Sequence, residues 1–289
     1  MADEQNEIMA DEVIELTAEL LADVLAPDLA PAVEEAVDSV VFELLLREEN
    51  FVAIEKPPGF HVHQPEYPRR RVARELTCLP NLRDQINEYL YPVHRIDVGT
   101  EGVLVFALNK STAAFLSQQF QLGAVKKTYF ALARGWTDDE GTIEIPLELD
   151  STNVPVRSIT RYRTRARVEL PYKIGKRHAT SRYSLVEAFP ETGRYHQVRR
   201  HLARLAHPLV GDAMHGDSHH NRYFREQLGL GGLWLKAKAI EFKHPVTGES
   251  VYIESAWSAR WKKLFATLEL DEPAGRPAAS SIAAKEALA

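Results

Sequence analysis

Apolar positions in the middle of this chain fall into short runs and two-residue alternations. They predict strands over 39–46, 51–55, 102–108, 127–134, 142–147, 180–188, 233–242 and 250–254. Three-to-four-residue spacing predicts helices over 81–89, 110–121, 197–205, 220–228 and 257–267. Lys110-Ser111-Thr112 opens the second helix, and Gly123 lies just past its end, where a C-terminal cap belongs. Strands and helices are interspersed without a βαβ repeat. The predicted class is therefore α+β, built on a long mixed and mostly antiparallel sheet. No internal repeat and no phosphate-binding or dinucleotide-binding glycine loop occurs.

The two ends differ from this middle. Residues 12–24 place apolar side chains at helical spacing among acids, and Pro27 and Pro31 break the pattern. Residues 1–38 are thus expected to be an acidic extension, mobile or carrying a weakly docked helix. Residues 39–270 are expected to be one catalytic domain, and the Ala-, Pro- and Ser-rich residues 271–289 a disordered tail.

Charge sharpens the division. The formal net charge of −6 hides a split, because 13 of the 41 acids and none of the 35 Lys and Arg lie in the first 46 residues. The remainder is basic, which suits a polyanionic partner. Hydrophobic residues make up 45% of the chain, as in ordinary globular proteins, and no apolar run is long enough to predict a membrane span. The single cysteine, Cys78, excludes an intrachain disulfide. With an N-terminus too acidic for a signal peptide, it points to the reducing cytoplasm.

His94-Arg95-Ile96-Asp97 is followed by Gly99-Thr100-Glu101-Gly102 and the apolar run Val103-Leu104-Val105-Phe106. A carboxylate thus sits in a glycine-containing turn at the mouth of a buried strand, a position from which a reactive group can be held facing a cleft. Taken alone, an aspartate beside a turn is more often a cap or turn former. Three further stretches accompany it: Glu55-Lys56-Pro57-Pro58-Gly59-Phe60-His61-Val62-His63, Lys126-Lys127-Thr128-Tyr129-Phe130-Ala131, and Gly193-Arg194-Tyr195-His196-Gln197-Val198-Arg199-Arg200-His201-Leu202 running on to His207-Pro208-Leu209-Val210-Gly211-Asp212.

These motifs, in this order, resemble the RluA family of pseudouridine synthases over about residues 40–268. Within it, the stretch from His201 to Pro208, His215-Gly216-Asp217 and His244-Pro245-Val246-Thr247-Gly248-Glu249 are most similar to a tRNA-modifying branch. The resemblance implies a central cleft and the isomerisation of a uridine to pseudouridine, uridine 65 of tRNA in that branch. Ribosomal RNA is the alternative substrate, since sister branches share the motifs. It implies a cofactor-free, metal-free, monomeric enzyme.

The reaction breaks the N1–C1′ bond, turns the base and joins C5 to C1′. A carboxylate is needed beside C1′ or the 2′ hydrogen, as in glycosidic chemistry generally, and the resemblance assigns it to Asp97. Arg199 falls on the position expected to keep Asp97 ionised and fixed through two parallel hydrogen bonds; its alternative is one more phosphate contact. Tyr129 is expected to stack on the uracil or relay the C5 proton, its alternative being a packed sheet residue. Arg95 is expected to fill the stack vacated by a flipped base, or else to be a scaffold residue.

Lys126, Arg194 and Arg200 are expected to grip RNA. So is a stripe of Arg157, Arg161, Arg163, Arg165 and Arg167, which alternate as one strand face would, with Tyr162 free to stack on a base. Arg69-Arg70-Arg71, Lys173, Lys176 and Arg177 would add to the track. The chain departs from the family pattern at Glu101, where Ser is usual, at Val98, a variable position, and at Lys236, where His is common; an inward Glu101 would raise the pKa of Asp97, and an outward one would do nothing. A rival reading is a zinc enzyme using His61 and His63, or the crowded His215, His219, His220, Asp212 and Asp217.

Overall fold

The computed structural model describes residues 40–64, 72–149, 152, 154–175 and 178–274. The extension 1–38 with its predicted helix, Arg69-Arg70-Arg71, Lys176, Arg177 and the tail beyond 274 lie outside the described residues.

Strands form where β-branched and aromatic residues concentrate. In chain order they are β1 (Leu44–Arg47), β2 (Phe51–Lys56), β3 (Tyr91–Pro92), β4 (Glu101–Ala107), β5 (Lys126–Arg134), β6 (Glu140–Ile143), β7 (Leu147–Glu148), β8 (Pro155–Val156), β9 (Thr160–Leu170), β10 (Ser181–Pro190), β11 (Leu235–Lys243) and β12 (Ser250–Glu254). The helices are α1 (Cys78–Ile86), α2 (Lys110–Gln121), α3 (Gln197–Arg204), α4 (Ser218–Leu228) and α5 (Ala259–Thr267). The α+β expectation holds. Helix α2 has the predicted bounds, its start fixed by Asn109, whose side chain accepts the Thr112 N–H at 2.8 Å. Helix α1 begins three residues earlier than predicted, because Pro80 fits a first turn that needs no N–H partner. It stops at Asn87, which takes a left-handed φ of 54°. Strands β3, β7 and β8, two residues each, are too short for periodicity to reveal.

Ten strands make one sheet in the order β1-β2-β4-β11-β5-β10-β9-β6, with β12 on β11 and β3 on β4; β7 and β8 pair separately. Every pairing is antiparallel except β4 with β11. That parallel contact is two residue pairs wide, Glu101 with Lys236 and Gly102 with Ala237. On one side of it, α1 covers one face of β2 and β4 and α2 the other. On the other side, α4 and α5 cover one face of β5 and β10, and α3 the opposite face. The seam thus joins two half-sheets, and the core under α2 continues across it onto Ile240 and Phe242 of β11 and Ile253 of β12.

The seam is built closely. Gly102 has φ +118°, and a Cβ there would lie 2.2 Å from the Ala237 carbonyl oxygen. Lys236, fully buried, reaches Glu55 at 2.7 Å and Glu101 at 3.5 Å, and Ser258 at the start of α5 donates to Glu101 at 3.0 Å. Past the seam, the edge of β4 is completed by a side chain: Val105 N–H donates to His94 Nε2 at 2.9 Å, and the His94 ring stacks on Phe120 of α2 at 4.6 Å.

The arginine stripe is not one face. The β9–β10 register slips between Leu185 and Val186, leaving Arg165 as an extra residue. The slip reverses the two faces, since side chains alternate with period two. Arg163 opposite Glu187 shares the face of Phe130, whereas Arg167 opposite Ser184 shares that of Ala133. Tyr162 points into the core beneath α3 and is 6% exposed, so it offers no stacking surface.

The contact at Gly102 is with backbone, which cannot give way. Gly102→Ala should lower stability by about 3 kcal/mol or more, from a positive φ combined with a backbone clash. Urea unfolding measures it; a midpoint within error of wild type would show that the seam can open without cost.

Candidate active site

Asp97 opens the turn that feeds β4, and the buried Lys56 pins this turn from below. Its ammonium donates to the carbonyls of Pro57, Phe60 and Val98 at 2.8, 2.9 and 3.0 Å. Gly59 N–H donates to the same Val98 carbonyl at 2.8 Å, and Thr100 N–H closes the turn onto Asp97 O at 3.0 Å. Burial pulls the pKa of Lys56 down to about 8.

Arg199, on α3, faces the Asp97 carboxylate, its Nη1 donating to Asp97 Oδ2 at 3.2 Å. The parallel fork expected on Asp97 is directed elsewhere. Arg199 Nε and Nη2 donate to Asp212 Oδ2 and Oδ1 at 2.8 and 2.6 Å. The Asp212 side chain is fully buried and also accepts the Met214 and His215 N–H groups. Burial pushes its pKa up, but these bonds and the guanidinium outweigh that and hold it below the usual carboxylate range. Gly211 makes the position possible: its φ is +78°, and a Cβ would overlap the Gly232 carbonyl. Asp212 therefore anchors the guanidinium and leaves its third nitrogen for Asp97.

Tyr129, on β5, pairs with Ala237 of the seam and is half-buried. Burial, and then the Asp97 carboxylate, raise its pKa well above the ordinary phenol value, so the hydroxyl stays protonated at neutral pH. Glu101 does not share this side. It pairs with Lys236, which lies opposite Phe130, so its carboxylate faces α5, away from Tyr129. Two of the three departures from the family pattern, Glu101 and Lys236, thus meet each other as an ion pair.

The sequence singled out no role for His196, yet its Nε2 lies 4.0 Å from Asp97 Oδ2. It takes a left-handed φ of 50° at the start of α3. Its ring stacks on Tyr195 at 3.6 Å, and its Nδ1 lies 3.1 Å from His215 Nε2. Arg95 reaches over Tyr195 from outside, 5.8 Å from the ring centroid. These side chains form a ladder from the surface to Asp97. The available signals were the His196 and Asp212 positions within the quoted motifs; periodicity is blind to a left-handed cap and to a buried anchor.

The remaining basic candidates lie elsewhere or are occupied. Lys126 pairs with Glu241 at 2.9 Å, Arg161 with Glu191 at 2.7 Å, Arg165 with Glu187 at 3.6 Å and Arg167 with Asp139 at 2.7 Å. Arg157 pairs with Glu144 at 3.0 Å, and Arg200 donates to the Glu148 carbonyl at 3.1 Å. Arg194 lies beside Lys127, whose pKa is lowered to about 8 by burial and by that guanidinium. The residues of the zinc reading have other partners: Asp212 holds Arg199, Asp217 caps α4 and His220 bonds Tyr183. Among the described residues, no group of three or more His, Cys, Asp or Glu is placed to hold a metal ion.

A family model described as RNA pseudouridylate synthase matches residues 50–204, spanning β2 through α3 and so Asp97, Tyr129 and Arg199. The chain belongs to this family. A protein of Haemophilus ducreyi named tRNA pseudouridine synthase C is 40% identical over 232 residues, 77% of this chain and 94% of the relative. Its namesake in Vibrio parahaemolyticus is 37% identical over 243 residues, 81% and 97% respectively. Among solved structures, human RNA Pseudouridylate Synthase Domain Containing 4 aligns with a TM-score of 0.61 at 20% identity, covering 84% of this chain and 97% of that one. The human Domain Containing 1 protein aligns at 0.58 and 24% identity, covering 75% and 83%. These two likenesses bear on the fold. The chain is thus an RNA pseudouridine synthase, and no described helix is long and apolar enough to cross a membrane.

Its buried histidines set an acid limit. Burial lowers His196 from 6.5 to about 4 and His94 from 6.5 to about 3. Unfolded, both take up protons near 6.5; folded, they resist until the lower values. The unfolded state therefore binds more protons in between, and stability is full above pH 6.5 and falls as the pH drops toward 4 and 3. The urea midpoint should be level around neutral pH and decline steadily below 6.5, with a shallower slope in His94→Asn. A level midpoint down to pH 4 would contradict the neutral histidines.

Proposed function

We propose that this synthase isomerises one uridine of tRNA, uridine 65 in tRNA numbering, with Asp97 as the essential carboxylate, in the cytoplasm and as a monomer. The carrying observation is the Asp97 carboxylate beside a guanidinium that is itself locked by buried Asp212. The names of the two bacterial relatives support the tRNA substrate.

A uridine flipped into the cleft would place C1′ beside Asp97. The ionised carboxylate then acts as nucleophile at C1′ or as base at the 2′ hydrogen. In either route N1–C1′ breaks, the base turns, C5–C1′ forms, and the proton on C5 leaves while N1 regains one. Arg199 holds the Asp97 carboxylate in position through Nη1. Tyr129 stacks on the base and, as a protonated phenol beside the carboxylate, passes the C5 proton. Arg95, at the outer end of the Tyr195–His196 ladder, fills the vacated stack.

Asp97→Asn keeps the side-chain size and removes the charge. Tritium release from C5-labelled tRNA should fall below about a tenth of wild type, with folding and tRNA affinity unchanged. Arg199→Lys keeps the charge but loses the planar fork. Its single-turnover rate should fall at least about ten-fold while tRNA affinity moves by no more than about two-fold. Loss of affinity at an unchanged rate would make Arg199 a phosphate contact. Mapping pseudouridine in cells with and without the gene decides the substrate, a change confined to ribosomal RNA overturning the tRNA reading.

A further inference from the structure

A second cavity of about 850 Å³ opens beyond the far end of β5, and none of Asp97, Tyr129, His196 or Arg199 lines it. Its walls include Arg134, Trp136, His178, Arg182, His207 and His219. It opens at the end of the sheet, between Ala206 and His207 just past α3 and Asp217, His219 and His220 at the start of α4. Val198 and Leu202 of α3 pack over Ala131 and Ala133 of β5, and His207, just past α3, bonds the Arg134 carbonyl at 2.9 Å. Tyr129 and Arg134 are five residues apart on one strand, a separation of ~17 Å.

The lining suits a flat, anionic ligand. Trp136 is 43% exposed, whereas Trp234, Trp257 and Trp261 are 0%, 6% and 0% exposed. The Arg182 guanidinium lies over the Trp136 ring, 4.1 Å from its centroid. Among the lining residues, Arg134 and Arg182 face one carboxylate, Asp217, which is already committed to Arg134 and to the start of α4. Arg182 also meets Glu169 at 3.2 Å outside the cavity, so its charge is shared. Imidazoles add hydrogen-bonding edges around the same space. An exposed indole with a stacked guanidinium and donors beside it is the combination on which an unpaired base stacks while its phosphate meets cations.

We infer that this cavity receives a nucleotide of the substrate RNA other than the target uridine, its base against Trp136 and its phosphate toward Arg182. The inference rests on the reading of this chain as an enzyme acting on RNA. The cavity contributes grip and register, and the chemistry stays at Asp97.

Trp136 reports on its own site, being the exposed member of four tryptophans. The full-length protein is titrated with adenosine 5′-monophosphate and with unmodified tRNA while its fluorescence is followed. Both should quench up to about a quarter of the emission, tRNA should displace the mononucleotide, and Trp136→Phe should abolish the signal. Trp136→Ala and Arg182→Gln should each raise KM for tRNA at least about five-fold and leave the single-turnover rate at saturating tRNA unchanged. Matching melting curves exclude misfolding. Unchanged emission with either ligand, or an unchanged KM, overturns the site. Quenching by the mononucleotide that tRNA does not displace overturns RNA as the occupant. A wild-type protein that releases no tritium from any RNA would overturn the enzymatic reading and leave the fluorescence result standing on its own.

Discussion

The two halves of the sheet are paired through only two residue pairs, and the core under β2, β4 and α2 runs on beneath β11 and β12. Strands β4 and β11 touch in parallel only at Glu101–Lys236 and Gly102–Ala237, and everything else in the sheet hangs from one of these strands. The contact is short because its neighbours β3 and β12 take over the edges on either side. A short contact between large half-sheets must be rigid to hold a site. The rigidity comes from backbone approach at Gly102 and from a buried lysine between Glu55 and Glu101. Burying such charges costs several kcal/mol per ion, and mutual attraction offsets this only when the geometry is good and the remaining bonds are made. Ser258 supplies one of those bonds.

The site uses both faces of the seam. One face is occupied by the Lys236 cluster, which confines Glu101 and keeps a spare carboxylate away from Asp97. The other carries Tyr129, Lys56 and the turn of Asp97. Across from it, α3 delivers Arg199 already fixed by Asp212. The Asp97 carboxylate is therefore positioned from two sides: by carbonyls held by Lys56 beneath, and by a guanidinium held by Asp212 above. Such preorganisation lets the site stabilise developing charge without reorganising.

Much of this was legible in the residues. The runs of β-branched and aromatic residues located most of the long strands but not β9, where arginines alternate with the inward positions, and helix α2 announced both of its ends. The motif order brought Asp97, Tyr129 and Arg199 together across more than a hundred residues. What stayed hidden had physical causes. The recipient of the Arg199 fork depends on where a glycine turn places Asp212, and no spacing encodes that. His196 acts from a left-handed backbone position outside any period. The Glu101–Lys236 pair requires the β4–β11 register, a contact between residues 135 apart. The arginine stripe misled because an extra residue leaves the period-two charge pattern intact while reversing the faces beneath it.

That extra residue bears on a different problem. Strand β6 covers β9 only from Thr160 to Arg163, and no described strand pairs with the outer edge of β9 beyond that point. An uncovered edge of regular pleat invites another chain to add itself and begin an aggregate. The bulge at Arg165 twists this edge, and the 136–139 loop meets it further on, Thr164 N–H donating to Asp139 O at 2.7 Å and the Trp136 indole to Val168 O at 3.3 Å. Bulge and loop together break the regular pleat that a second copy of this protein would need in order to add itself edge to edge.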